Sequence, residues 1–201
     1  MTLPSPSRAE LRKQLRARRQ ALSPLQQQQA SAGLLRQLMK QPLFMRSQHV
    51  ALYIAADGEI DPAPVARQLW KMNKTCYLPV LRPDKTNQLW FVRFDPDTPL
   101  KPNRFGIAEP DPFQNHRLPA HLLDMVLLPL VGFDRSGARL GMGAGFYDYT
   151  FAFKQQKSKG KPYLFGLAHA CQEVDQLETA SWDVPLYGIA TDREMILCGN
   201  A

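Results

Sequence analysis

Only three of the 201 residues are cysteine, and Cys76, Cys171 and Cys198 stand far apart with no histidine pattern at metal-ligand spacing beside them. That excludes a disulfide framework and a zinc site, and points to a reducing, cytoplasmic setting. Long apolar runs are missing as well. The longest uncharged one, 125-MVLLPLVGF-133, falls well short of the roughly 20 residues a membrane helix needs, and no apolar stretch follows the N-terminus. A membrane-spanning or secreted protein is therefore disfavoured. Acidic residues are nearly absent from the first 46 positions, which hold nine Lys/Arg against Glu10 alone. The formal charge of +7 belongs to this segment, and the remainder is close to neutral. A nucleic-acid-binding role would lack a second basic patch, so no nucleic-acid partner is expected.

The basic segment 8-RAELRKQLRARRQAL-22 carries Leu11, Leu15 and Leu22 at near-helical spacing, with Ser7 as N-cap and Ser23-Pro24 as stop. It predicts an amphipathic helix whose charges suit a solvated face, an anion-binding face, an RNA or membrane-surface contact, or an Arg-rich transit peptide. A second helix over 25-LQQQQASAGLLRQLM-39 makes it the first half of a helical pair. Strands are expected over 49–55, 75–80, 88–94, 125–130, 163–168 and 187–192, with an extension over 194–198, and helices over 62–72 and 146–156. The alternation predicts a single α/β domain over 1–201. Its architecture is three-layered, a mostly parallel sheet with helices on both faces, preceded by the basic helical pair. Ligands belong at the carboxyl ends of such strands. The Pro-rich stretch 95–119 is too long and irregular for an ordinary connection and is a candidate binding loop.

The segment 134-DRSGARLGMGAGFYDY-149 follows the apolar run directly. Gly141, Gly143 and Gly145 let successive N–H groups point into one concavity, a cradle for phosphate oxygens. A tight structural turn is the alternative, since the spacing is neither G-x-G-x-x-G nor a P-loop. Arg139 adds a planar cation, Tyr147 a phenol, and Asp148 a hard oxygen ligand for the Mg²⁺ that accompanies nucleotide phosphates. Asp148 as a helix cap and Tyr147 as core filler are the plainer readings of each alone. Together these residues suggest ATP.

The segment 139-RLGMGAGFYD-148 resembles the R-L-G-x-G-x-G-[FY]-Y-D signature of 5-formyltetrahydrofolate cyclo-ligases, also called methenyltetrahydrofolate synthetases. Further elements follow in the family's order: 8-RAELR-12, 58-GEIDP-62, 105-FGIAEP-110, 167-LAHACQ-172 and 182-WDVPL-186. The resemblance implies ATP- and Mg²⁺-dependent closure of 5-formyltetrahydrofolate to 5,10-methenyltetrahydrofolate through a phosphorylated formyl group, by a monomer. It implies that Arg8, Arg12, Arg139, Leu140, Gly141, Met142, Gly143, Ala144, Gly145, Phe146 and Tyr147 hold ATP, with Arg139 and Tyr147 catalytic. Ile54, Glu59, Met142, Gly143, Ala144, Gly145 and Phe146 would contact the folate, and Asp148 and Asp183 would ligate Mg²⁺. Arg8 for lysine, Ala144 for glycine or lysine, Phe146 for tyrosine, Tyr149 for arginine and Trp182 for histidine depart from the family pattern. A repurposed folate or nucleotide binder of low turnover is the alternative these departures leave open.

Overall fold

The computed structural model describes residues 6–84, 86–155 and 160–198; the ends of the expected 1–201 domain and position 156 of the expected last helix lie outside the described residues. The chain opens with α1 (Arg8–Gln20), α2 (Pro24–Met39) and the short α3 (Pro42–Arg46). Ser7 and Ser23 each accept from the N–H three residues on, while Glu10 and Gln26 reach back to the cap N–H at 2.9 and 2.8 Å. Two capping boxes thus fix where α1 and α2 begin. Pro24, the expected stop of the first helix, also serves as the first residue of the second, where its missing N–H costs nothing.

Strand β1 (His49–Ala51), helix α4 (Ala63–Lys71) and strand β2 (Thr75–Leu81) follow, with β1 and β2 parallel. Strand β3 (Leu89–Phe94) returns antiparallel to β2. The Pro-rich segment is more ordered than expected. It holds a hairpin of β4 (Leu100–Pro102) and β5 (Ala108–Pro110) and the edge strand β6 (Arg117–Leu118). Then come β7 (Met125–Pro129), the β8 (Gly132–Phe133) and β9 (Arg139–Leu140) pair, and α5 (Phe146–Thr150). Strands β10 (Tyr163–Leu167), β11 (Gly188–Ala190) and β12 (Met195–Leu197) complete the described chain.

The main sheet has the order β12-β11-β10-β7-β1-β2-β3-β6. Its central strands β11, β10, β7, β1 and β2 are parallel, and antiparallel strands close both edges, as the α/β expectation requires. Along β7, Met125 and Leu127 face one layer while Val126 and Leu128 face the other, which is why that strand reads as a continuous apolar run. On the first face Leu34 and Leu38 of α2, Phe44 of α3, and Val65 and Leu69 of α4 form the core with Val50, Cys76 and Phe165. Burying each such side chain contributes roughly 1.5–3 kcal/mol. The second face is covered by short turns: Phe133, Phe151, Val184 and Leu186 pack there.

The chain enters the sheet at β1, moves to β2 on one side, and then places β7, β10 and β11 on the other. The carboxyl ends of the neighbours β1, β7 and β10 therefore diverge at a topological switch point. Helix α1 lies across those ends rather than on either face, with Leu11 and Leu15 against Val131, Leu140, Val174 and Leu177. The two basic-segment helices thus do different things: α2 is part of a layer, and α1 roofs the strand ends.

Candidate active site

The glycine loop leaves β9 and ends at α5. Gly143 (φ 108°) and Gly145 (φ 69°) take the left-handed conformation, while Gly141 lies outside it and instead presents its carbonyl to α1. Arg12 Nε donates to that carbonyl at 2.8 Å, and the same guanidinium lies 3.8 Å from where a Cβ on Gly143 would sit. Burial, with the like charge of Arg8, holds the Arg12 pKa below the ordinary arginine value. A cation short of counter-charge beside exposed backbone at 142–144 suits an anion. Arg8, the first residue of α1, donates to the Glu178 carbonyl at 2.8 Å.

Below the loop, the buried Arg139 donates to the Val184 carbonyl and is ion-paired with Asp148. The Val184 N–H donates to the same Asp148 oxygen at 3.1 Å. Burial lowers the Arg139 pKa against the attraction of Asp148 and Asp183. Asp183 accepts from the Ala180 N–H at 2.8 Å. Two carboxylates thus flank one guanidinium. Among the described residues no group of three or more His, Cys, Asp or Glu could hold a metal by itself.

Across the strand ends, the chain after β1 makes a tight turn in which Asp57 (φ 52°) and Gly58 (φ 74°) are both left-handed and the Glu59 N–H donates to the Ala56 carbonyl at 3.0 Å. Glu59 accepts from the Ala56 N–H at 3.1 Å and stands 3.8 Å from Arg19 of α1. Burial raises its carboxyl, opposed by that N–H and by Arg19. Tyr147 reaches the same region from α5: burial pushes its phenol up, and the charge of Glu59 adds to the shift. Tyr53 behaves alike, with its hydroxyl donating to the Ile60 carbonyl at 2.8 Å. Beside this turn a cavity of about 450 Å³ opens, lined by Gln20, Gln27 and residues 55–59.

The family model for the 5-formyltetrahydrofolate cyclo-ligase family matches residues 4–192. The chain belongs to this family. It is 43% identical over 182 residues to the 5-formyltetrahydrofolate cyclo-ligase of Haemophilus influenzae, covering 90% of this chain and 96% of that one. The Escherichia coli K12 cyclo-ligase is 41% identical over 177 residues, 88% of this chain and 96% of that one. The solved structure of Aquifex aeolicus 5,10-methenyltetrahydrofolate synthetase superposes with a TM-score of 0.80 at 29% identity, over 96% of this chain and 94% of that one.

For this cyclo-ligase family member, the motifs singled out in the sequence converge from separate elements. Arg12 meets 141–143, Arg139 meets Asp148, and Tyr147 lies within electrostatic reach of Glu59. Met142 is exposed at the loop tip rather than packed, and Ile54 packs at the edge of the first core layer. Phe105, at the tip of the β4–β5 hairpin, meets Phe146 edge-on at 6.2 Å, so the 95–119 segment does reach the glycine loop. The Tyr149 ring lies over Gly145, 3.2 Å from where a Cβ would stand, which is what a tyrosine does at this arginine position. Arg8 contacts the 178 region and not the glycine loop in this state.

Arg19, Asp57 and the part played by His169 lie outside the site residues expected from the sequence. Arg19 carried a signal: Leu11, Leu15, Arg19 and Leu22 form one helical stripe, and a charge within an apolar stripe marks a buried, partnered group. Asp57-Gly58 carried another, since Asp-Gly demands a left-handed turn immediately before Glu59.

Proposed function

We propose that the protein converts 5-formyltetrahydrofolate to 5,10-methenyltetrahydrofolate with consumption of ATP and release of ADP and phosphate. The observation that supports this best is Arg12 of α1 docked on the glycine loop, whose following helix carries Asp148, paired with Arg139, and Tyr147, within electrostatic reach of Glu59. An amide-like formyl oxygen is a poor leaving group until phosphorylated. The reaction therefore runs through a phosphorylated formyl (iminophosphate) species, on which N10 of the folate closes as phosphate departs. Phosphoryl transfer asks the protein for positioning and charge neutralisation more than for covalent chemistry.

Arg8, Arg12 and the backbone of 140–147 would receive the phosphates. Arg139 would face charge that develops during transfer, its own charge balanced by Asp148. The raised phenol of Tyr147 stays protonated near neutral pH and can donate to a bound anion. Glu59, with Ile54 and 142–146, would accept from N–H groups of the pterin. Two carboxylates without a full protein cage fit Mg²⁺, which keeps several waters and takes one or two carboxylates plus substrate phosphates. Asp148 and Asp183 would hold it, and when bound it would neutralise phosphate charge. The reading takes the protein as a cytoplasmic monomer without nucleic-acid or membrane partners; no described helix is long and apolar enough to cross a membrane.

The test is methenyltetrahydrofolate formation followed by absorbance, with ATP and Mg²⁺ each omitted in turn. Product that requires both is expected. Folded protein that binds ATP and folate without product would instead be a repurposed relative, and salt-sensitive RNA binding without turnover would replace the reading altogether.

A further inference from the structure

Arg19 is fully buried, on the face of α1 that elsewhere carries leucine. Its guanidinium is held at four points: Nε donates to the Asp57 carbonyl at 2.8 Å, Nη2 to the Asp57 carboxylate at 2.9 Å and Nη1 to the Leu130 carbonyl at 3.3 Å, and Nη2 stands 3.8 Å from Glu59. It therefore ties α1 to the chain leaving β1 and to the chain leaving β7. Taking an arginine out of water is expensive, and a buried pair is weak evidence for stability, so a leucine in the stripe would serve packing better. What the arginine adds is geometry. The turn it grips is strained, with a non-glycine residue in the left-handed region at Asp57. A Cβ on Gly58 would stand 3.3 Å from the Arg19 carbonyl, so the turn is pressed against the helix backbone. The Gly58 carbonyl is also held by Gln27 Nε2 at 3.3 Å, which donates to the Arg19 carbonyl as well, and by His169 Nε2 at 3.2 Å.

We propose that the Arg19–Asp57 pair is a positioning device for Glu59: it locks the 56–59 turn against α1 and sets the direction and charge environment of the Glu59 carboxylate toward the substrate. The proposal rests on the reading of Glu59 as a folate contact. Arg19 alone would neutralise Glu59; Asp57 takes up that charge, and Arg16, donating to Asp57 at 2.6 Å, and Gln20 complete the balance. The other groups that interact with Glu59 are Tyr53 after β1, on which Asp61 also acts, and Tyr147 of α5, with His169 on the Gly58 carbonyl of the same turn. Asp57 raises the Glu59 carboxyl and Arg19 lowers it. Removing one or the other must therefore move Glu59 ionisation in opposite directions, which a purely structural contact would not do.

The experiment measures the dissociation constant of 5-formyltetrahydrofolate by calorimetry across pH, and that of ATP alongside, for Asp57→Asn, Arg19→Gln, Arg19→Lys and Glu59→Gln. Binding serves as the readout so that turnover is not required. The expected result is folate binding weakened about tenfold or more in the Asp57 and Arg19 variants, with ATP binding within about twofold. The acid limb of folate binding should move to lower pH in Asp57→Asn and to higher pH in Arg19→Gln. Arg19→Lys keeps the charge without the fork, and should lose affinity with little shift of the limb. Asp57 is part-exposed, so Asp57→Asn gives the answer even where the Arg19 variants unfold. Unchanged folate affinity and limb in folded Asp57→Asn, while Glu59→Gln binds poorly, would overturn the positioning role alone. Unchanged affinity in Glu59→Gln would overturn the assignment of Glu59, and the proposal with it.

Discussion

One oxygen of Asp148 accepts from both Arg139 and the Val184 N–H, so this residue joins α5, β9 and the chain before β11. The sequence placed Asp148 in a phosphate and metal context and offered helix capping as its plainer role; the tertiary structure adds the buried arginine as its partner. Asp148→Asn keeps an acceptor for Val184 and removes the charge facing Arg139. It should cost about 1–3 kcal/mol of stability, a fall in Tm of roughly 2–4 °C per kcal/mol for a chain of this size. It should also abolish the extra Tm gained with MgATP. Melting curves with and without MgATP decide this, and a variant that melts and responds like the parent would remove Asp148 from the site. The neighbouring Tyr149 was the oddest letter of the motif in sequence. Its ring packs on Gly145, a contact made across one helical turn that composition does not reveal.

Helix α2 was legible as an element because Ser23, Pro24 and Gln26 announce its start. Its partner was not. Gly33 sits in mid-helix, where alanine would ordinarily be favoured by about 1 kcal/mol. A Cβ there would collide with the Asp192 carbonyl, because α2 rests directly on the chain after β11. Gly33→Ala should therefore destabilise by about 1–3 kcal/mol despite the better helix propensity. A urea midpoint equal to or above the parent's would show that α2 has room to move. The β4–β5 hairpin is not legible in the sequence because three-residue strands show no period. Asn103 builds it instead, accepting from the Phe105 and Ile107 N–H groups while donating to Glu109, which in turn accepts from the Leu81 N–H. The last helix was read too long: its regular turns stop at Thr150, since Phe151 is drawn into the second core layer and a 3₁₀ turn follows.

At the scale of the whole molecule the pH response follows from groups that folding holds in one state. Burial keeps the His169 pKa below its ordinary 6.5, so the unfolded chain takes up a proton that the folded chain refuses. Its contribution is complete above pH 6.5, and stability falls as the pH drops below that value. Asp57 is depressed, chiefly by the Arg16 hydrogen bond, and adds a loss at lower pH as it protonates through its folded pKa. His169→Gln can still donate to the Gly58 carbonyl but has nothing to titrate. Denaturation midpoints at pH 7.5 and 5.5 should differ less in this variant than in the parent. Parallel pH dependence in the two would place the response elsewhere.

Short-range rules were enough for the N-terminal helical pair, the main strands and the α/β class: caps mark helix starts, charge-free apolar runs mark two-sided strands, and glycines mark a tight turn. Family membership was legible because its motifs are local and keep their order along the chain. The tertiary structure decided which residues meet: Arg12 and Gly141, Arg19 and Asp57, and Arg139 with Asp148 and Asp183 are far apart or unpaired in sequence and are joined only when β1, β7 and β10 align and α1 crosses their ends. It also decided that the basic helix is partly buried and structural rather than wholly solvated. Helix periodicity shows that a charge stands in an apolar stripe, but only long-range packing can supply the carboxylate it meets.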